Sequence, residues 1–320
     1  MIVLDKLNFF GSHLKARHLL GFSFLMIISC ESKNDMHLRG LTMGTTYSVV
    51  LPNINEKINK NLLQVKVDSL LAQINFQMST YIENSEISNF NSKKDTGPID
   101  ISLDFYNVIQ TALKISKLSE GAFDITIMPL IRLWGFGPEN KGKKSVPSIE
   151  EIKLYKKNTG ISFLKSGKYY LKKVNTELEI DLSAIAKGYA IDKIKSLFEL
   201  LKLEHYLIEI GGEIICKGKN ADGLLWRIGI ASPSVNRKTK KENNLILGLS
   251  DVAVATSGDY RNYFEVNDII YSHIIDPMTG YPVKNVIASA TVVAPNCAEA
   301  DAWATALLVM GVKGLDILEE

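Results

Sequence analysis

Hydrophobic positions recur with two periods along this chain. Spacings of three and four put Leu62, Val65, Leu70, Leu71 and Ile74 on one face over 61–76, and Phe105, Val108, Ile109, Ala112, Leu113 and Ile115 on one face over 104–119. Both stretches predict amphipathic helices, the second closed by Gly121. Further helices are predicted over 149–158, closed by Gly160; from caps at Asp181 and Ser183 to about 201; and over 296–311. Alternation predicts strands over 41–51, 169–174, 178–182, 225–231, 245–249, 252–256, 262–266, 269–275 and 288–293, and 205–218 reads as strand, Gly-Gly turn, strand. Runs of strands with short connections, interrupted by a few long helices, indicate an α+β fold: a mostly antiparallel sheet with several packed helices. The polar stretch 78–91 reads as a turn-rich loop suited to binding residues, and the Lys/Gly-rich stretch 140–148 as a surface linker.

Composition narrows the class without deciding it. The 320 residues, 46% hydrophobic and 22% charged, can bury an ample core as one large unit or two closely joined lobes. A net charge of +2, with no basic block interleaved with aromatics, gives nucleic-acid binding no support. Neither GxxxxGK[ST] nor a GxGxxG after a strand occurs, which argues against a P-loop or Rossmann site.

The front of the chain reads as an export segment. Lys15 and Arg17 precede the apolar run 19–29, which is too short to span a bilayer and suits a signal peptide. Ile27-Ile28-Ser29-Cys30 resembles a bacterial lipobox, so 1–29 is expected to be a lipoprotein signal peptide, Cys30 a lipidated residue, 30–40 a tether and 41–320 the working domain. The expected location is the extracytoplasmic, periplasmic face of a membrane; the competing reading is an apolar segment with a chance cysteine. Cys216 sits in an apolar strand pattern and Cys297 at a helix start, which favours two buried thiols over one disulfide. No Cys/His spacing suits zinc.

The segment 296–311, NCAEADAWATALLVMG, carries the sharpest chemical signal. Asp301 and Thr305 are four residues apart, so they share a helix face amid small and apolar residues, with no Lys or Arg from Asn296 to Met310. A buried carboxylate must be paired, hydrogen-bonded or metal-bound, and this pair offers hard oxygen donors to a cation such as Mg²⁺. The structural alternative is Asp301 as a cap and Thr305 bonded to the carbonyl four residues back. Lys187, among Ala and Gly in the first turns of a helix, could hold a phosphate with the helix amides, or be an ordinary surface lysine. His273 ends a strand before the turn Asp276–Gly280 and could move a proton near neutral pH, or serve packing alone. Asp276 before Pro277 is a turn former.

Eight segments in order, MGTTYSV, MSTYIENSEISNFN, GAFDITIMPL, IDLSAIAKGYAID, IEIGGEI, ATSGDYRNYF, SHIIDPMTGYPV and AEADAWATAL, resemble the signature segments of the ApbE family, the FAD:protein FMN transferases. The resemblance spans about 41–315 and implies a T-fold-like architecture. It also implies an Mg²⁺-dependent transfer of FMN from FAD to a Thr or Ser of an acceptor protein, with AMP released. Residue by residue, it implies FAD contacts at Met43, at Tyr81, at Ala122, Phe123 and Asp124 where a strand begins, and at Asp181, Lys187 and Ile275. The metal would take the Ala184 carbonyl with the side chains of Asp301 and Thr305, and His273 would be the base for the incoming hydroxyl. Acceptors of this kind include subunits of a Na⁺-translocating NADH:quinone reductase or an Rnf-type complex. Two rivals stand beside this reading: an FAD pyrophosphatase giving FMN and AMP, and a non-catalytic FAD-binding lipoprotein. Members of the family continue past the metal helix with more sheet-forming residues, whereas this sequence stops at Glu320: either the C-terminus is naturally short or the sequence is incomplete, and a missing final strand would leave a sheet edge unpaired.

Overall fold

Sheet hydrogen bonding organises the molecule into one large antiparallel sheet backed by two buried helices. The structure, a computed structural model, describes residues 35–54, 58–139, 145–230, 245–258, 262–284 and 287–319. The signal-peptide and lipobox expectations over 1–30 lie outside the described residues, as do the start of the tether and most of the Lys/Gly-rich linker.

The chain opens with the hairpin β1 (Met36–Thr42) and β2 (Thr45–Leu51), followed by helices α1 (Lys60–Met78) and α2 (Glu86–Ser92). Then come β3 (Pro98–Asp100), α3 (Leu103–Leu118), α4 (Met128–Leu133), α5 (Ile149–Lys156), β4 (Leu164–Gly167) and β5 (Tyr170–Lys173). Helix α6 (Ala186–Leu200) leads into β6 (Tyr206–Ile210), β7 (Glu213–Lys217), β8 (Trp226–Ile230), β9 (Leu245–Leu249) and β10 (Val252–Gly258). The chain continues through β11 (Tyr263–Val266), β12 (Ile269–Ser272), β13 (Ser289–Ala294), α7 (Cys297–Met310) and α8 (Gly314–Glu319). The main sheet has the order β1-β2-β6-β7-β10-β13, and smaller sheets pair β3-β5-β4, β8-β9 and β11-β12. Every strand pairing among the described residues is antiparallel, as the short connections implied.

Helix starts follow their sequence signals. Asn59, Ser102 and Asn296 each accept a first-turn amide, and Ser148 with Glu151 completes a capping box. Helix α7 buries Cys297, Ala298, Ala300, Ala302, Ala304 and Ala306, and these small side chains let its backbone press close to its neighbours. Cys216 and Cys297 are both buried free thiols.

The crossing of α6 and α7 is the tightest contact. A Cβ on Gly188 would lie 2.3 Å from the Cys297 carbonyl oxygen and 2.8 Å from the Ala298 Cα, so only glycine allows the approach. Each helix then caps the other. Asp192 of α6 accepts the first two amides of α7, from Cys297 at 2.8 Å and Ala298 at 2.9 Å, while Asp301 of α7 accepts the Gly188 amide of α6 at 3.1 Å. Burial lifts the Asp192 carboxyl to about 6 even though these two amides pull the other way. A third tie runs from Tyr189 on α6 to Asp104 on α3, at 2.8 Å.

Four expectations need correction. The stretch 78–91 is not wholly loop: α2 forms in it, capped by Ser85 and burying Ile87 and Phe90, a helical pair three apart hidden among polar residues. The stretch 178–182 pairs with no strand; the Asn91 carboxamide instead bonds both backbone groups of Ile180, at 2.8 Å each. No strand begins at Ala122, because Asp124 turns the chain by accepting the Thr126 amide at 2.7 Å and α4 follows. Helix α6 starts at Ala186 rather than at Asp181; Asp181 and Ser183 shape the preceding turn, and Asp301 replaces a local cap.

Replacing Gly188 with Ala should cost at least about 3 kcal/mol of unfolding free energy, measured by urea denaturation, because the helices must separate to admit one methyl. A Gly188→Ala midpoint equal to that of the unsubstituted protein would show that the crossing has slack.

Candidate active site

A cleft of about 370 Å³ opens where α6, α7, β10 and the turns before α4 and α6 converge. Its size is that of a ligand pocket. Tyr81, Ala122, Phe123, Asp124, Asp181, Ala184, Lys187, His273, Ile275, Asp301 and Thr305 all line it. Met43 is not on its wall: it sits at the β1–β2 turn with φ 49° and packs against the main core.

The floor of the cleft is charged. Lys187 projects from the first turn of α6, its Nζ 3.1 Å from Glu213 Oε1 and 3.8 Å from Asp301 Oδ2. The two carboxylates are nearly sealed, with side chains 7% and 3% exposed, while Lys187 keeps 25% of its surface open. Burial alone would lower the Lys187 pKa, but the charges of Asp301 and Glu213 outweigh it and hold the ammonium firmly protonated. Glu213 is lifted from 4.5 to about 7, first by burial and then by the charge of Asp301, with Lys187 offsetting part of the rise. Asp301 is thus not the helix cap that the bland reading proposed for α7. Asn296 fills that role, and Asp301 reaches across to α6. One turn along, Thr305 Oγ1 lies 3.0 Å from Ser257 Oγ at the end of β10.

Polar turns form one wall. Asp124 accepts both Thr126 groups, and the Thr126 hydroxyl in turn accepts the Gly160 amide at 2.7 Å. The Asp181 amide bonds the Ile125 carbonyl at 2.7 Å, which ties the two turns together, and its carboxylate accepts the Ser183 amide at 2.9 Å. Burial raises the pKa of both carboxyls despite these bonds. It raises Tyr81 too, with a second contribution from the charge of Asp181.

His273, just past β12, also lines the cleft. Its Nδ1 lies 2.9 Å from the Asn262 carbonyl, and its amide bonds the same oxygen at 3.1 Å. A carbonyl oxygen only accepts, so this contact places the ring proton on Nδ1 and leaves the lone pair on Nε2. The ring is backed by Phe136, which begins a chain of aromatic contacts through Phe264 and Tyr271 to Trp134. Trp134 donates to the Gly280 carbonyl at 2.8 Å and anchors the turn in which Asp276 accepts Met278 and Thr279. Asp276 is therefore the turn former that its place before proline implied.

The donor set suits a small hard cation. Asp301 and Thr305 lie on one face of α7, and the turn holding Ala184 leads into the helix whose Gly188 amide Asp301 binds. Among the described residues no three His, Cys, Asp or Glu side chains gather, so the protein alone would supply few ligands.

Sequence reasoning missed Glu213, Ser257 and Asn262. Glu213 had a signal: it follows a double glycine whose φ angles are +62° and +110° and shares its strand face with buried Ile215, so it put a charge on the core side. Asn262 acts through its backbone and had none.

Comparison with known proteins agrees with this geometry. The sequence profile of the ApbE family covers residues 43–320. The FAD:protein FMN transferase of Vibrio cholerae is 43% identical over 299 residues, covering 93% of this chain and 88% of that one. Its namesake from Escherichia coli K12 is 38% identical over 86% of this chain and 78% of that one. The structure of flavin transferase ApbE from Vibrio cholerae superposes with a TM-score of 0.83 at 41% identity, over 90% and 91% of the two chains. The apo form of Pseudomonas stutzeri flavinyl transferase ApbE gives 0.82 at 35% identity, over 90% and 88%.

The Glu213 shift has a measurable sign. A carboxyl whose folded pKa is raised adds stability in full below its unfolded value of 4.5 and loses it as pH climbs through about 7. In metal-free buffer, wild-type stability should therefore fall relative to Glu213→Gln as pH rises across that window, followed by urea unfolding at each pH. A difference between the two proteins that stays constant with pH would contradict the assignment.

Proposed function

The chain belongs to the ApbE family, and on that premise we propose that it transfers FMN from FAD to a Thr or Ser hydroxyl of an acceptor protein, releasing AMP. The observation that carries this reading is the meeting in one cleft of a charged floor, Lys187, Glu213 and Asp301, and a histidine whose Nδ1 is held by the Asn262 carbonyl. Pyrophosphate cleavage asks for charge neutralisation and alignment more than for covalent chemistry.

Asp301, Thr305 and the Ala184 carbonyl would hold Mg²⁺, which when bound neutralises charge on the two phosphates. Lys187 adds a second positive charge beside them, reinforced by the amides at the start of α6. Tyr81, the segment Ala122–Asp124, Asp181 and Ile275 would seat the flavin and adenosine portions along the wall. The acceptor oxygen attacks the phosphorus of the FMN half, the bond from that phosphorus to the bridging oxygen breaks, and AMP leaves with that oxygen. His273 Nε2 takes the hydroxyl proton, and the Asn262 carbonyl, bonded to Nδ1–H, steadies the imidazolium that forms. Such a base contributes about 10²- to 10⁴-fold.

The acceptor we propose is a membrane-bound or exported redox protein, such as a subunit of a Na⁺-translocating NADH:quinone reductase or an Rnf-type complex. A lipidated Cys30 would hold the enzyme on the periplasmic face beside it; the support for this is the lipobox-like run Ile27–Cys30.

The following outcomes test the reading. With Mg²⁺, FAD and a candidate acceptor, mass spectrometry should find an added FMN on a Thr or Ser. Asp301→Asn, which keeps an acceptor for the Gly188 amide, should lower the transfer rate by at least about 10³-fold. Full transfer by that variant would defeat the metal assignment. His273→Ala should slow transfer by about 10²- to 10⁴-fold while FAD binding persists, as followed by flavin fluorescence. Rapid AMP release from FAD and Mg²⁺ with no acceptor present would instead favour hydrolysis, and tight FAD binding without turnover a carrier.

A further inference from the structure

Lys187 is asked to do two things that compete. Its ammonium sits 3.1 Å from Glu213 and 3.8 Å from Asp301, while the function proposed above gives Asp301 to a metal ion and Lys187 to phosphate oxygens. A cation at Asp301 would cancel one of the two charges holding the ammonium and repel it as well. On a flexible four-carbon stem, a lysine held by Asp301 alone would leave the cleft or keep the metal out.

Glu213 resolves the conflict. It opens β7 directly after the double-glycine turn, where Gly211 and Gly212 both adopt positive φ. The Glu213 Oε1 pairs with the ammonium, but Oε2 is buried with no hydrogen-bond partner among the described residues. A buried carboxylate with one oxygen unmatched costs the fold stability, so packing does not account for its charge.

We infer that Glu213 is a positioning residue that draws Lys187 away from Asp301, leaving the aspartate open to the metal and the ammonium fixed for phosphate. The inference rests on the metal reading above. Its chemistry is that of an outer-shell partner, whose loss usually costs about 10- to 100-fold in metal affinity. A plain charge effect of Glu213 on the cation would also weaken binding, but it would do so whether or not Lys187 is present.

A double-substitution cycle read by Mn²⁺ binding, by calorimetry or electron paramagnetic resonance without FAD, separates the two. Glu213→Gln should weaken Mn²⁺ binding about tenfold, because the ammonium then leans on Asp301. Lys187→Met should tighten it, and adding Glu213→Gln to Lys187→Met should change it by less than about twofold. Glu213→Asp should bind Mn²⁺ closer to the wild-type value than Glu213→Gln does. Circular dichroism checks folding, and Lys187→Gln replaces Lys187→Met if the latter does not fold. The same tenfold loss in both backgrounds would overturn the inference, as would no loss on Glu213→Gln. Wild-type protein that binds no Mn²⁺ would overturn the metal reading and this inference together.

Discussion

Two helices that cap each other through carboxylates, pressed together at a glycine, set the position of everything in the cleft. Helix α6 gives Asp192 to the start of α7, and α7 gives Asp301 to the start of α6. The exchange satisfies backbone amides that would otherwise be orphaned in the core, and it fixes the two helices in register as well as in distance. Gly188 makes the approach possible, because any side chain there would meet the Cys297 carbonyl. Asp301 therefore holds α6 in place and also lies in the cleft. Asp301 is oriented in the cleft by the same bond that ties α7 to α6, so its orientation requires no separate device.

The floor of the cleft gathers two nearly sealed carboxyl groups around one ammonium, and burial together with the charge of Asp301 lifts Glu213 to about 7. The wall bearing His273 rests on a different support, the aromatic cluster around Trp134, Phe264 and Tyr271, separate from the main core. The His273 wall and the charged floor thus rest on two hydrophobic clusters that meet at the cleft.

Much of the site was legible in the sequence because its residues broke local rules. An aspartate in a run of alanines, a lysine flanked by Ala and Gly, and a histidine before an Asp-Pro turn each stand out against the pattern around them, and all three line the cleft. The antiparallel architecture followed from strand spacing alone. Helix α2 was missed because Ile87 and Phe90 are its only buried apolar residues within a polar stretch, and the strand expected over 178–182 failed because a side chain, Asn91, took the hydrogen bonds a neighbouring strand would have used. Met43, placed at the ligand by resemblance, sits at the β1–β2 turn and packs against the main core. The reciprocal caps had no sequence signal, since Asp192 and Asp301 lie 109 positions apart and meet only after both helices have formed.

The most direct test is a crystal structure grown with Mn²⁺ and FAD, read by anomalous scattering from the metal. The account predicts a manganese peak bound to the Asp301 carboxylate and the Thr305 hydroxyl, bridging to the pyrophosphate, with the Lys187 ammonium still against Glu213. Bound nucleotide with no metal peak, and Asp301 still holding only the Gly188 amide and the Lys187 ammonium, would contradict it.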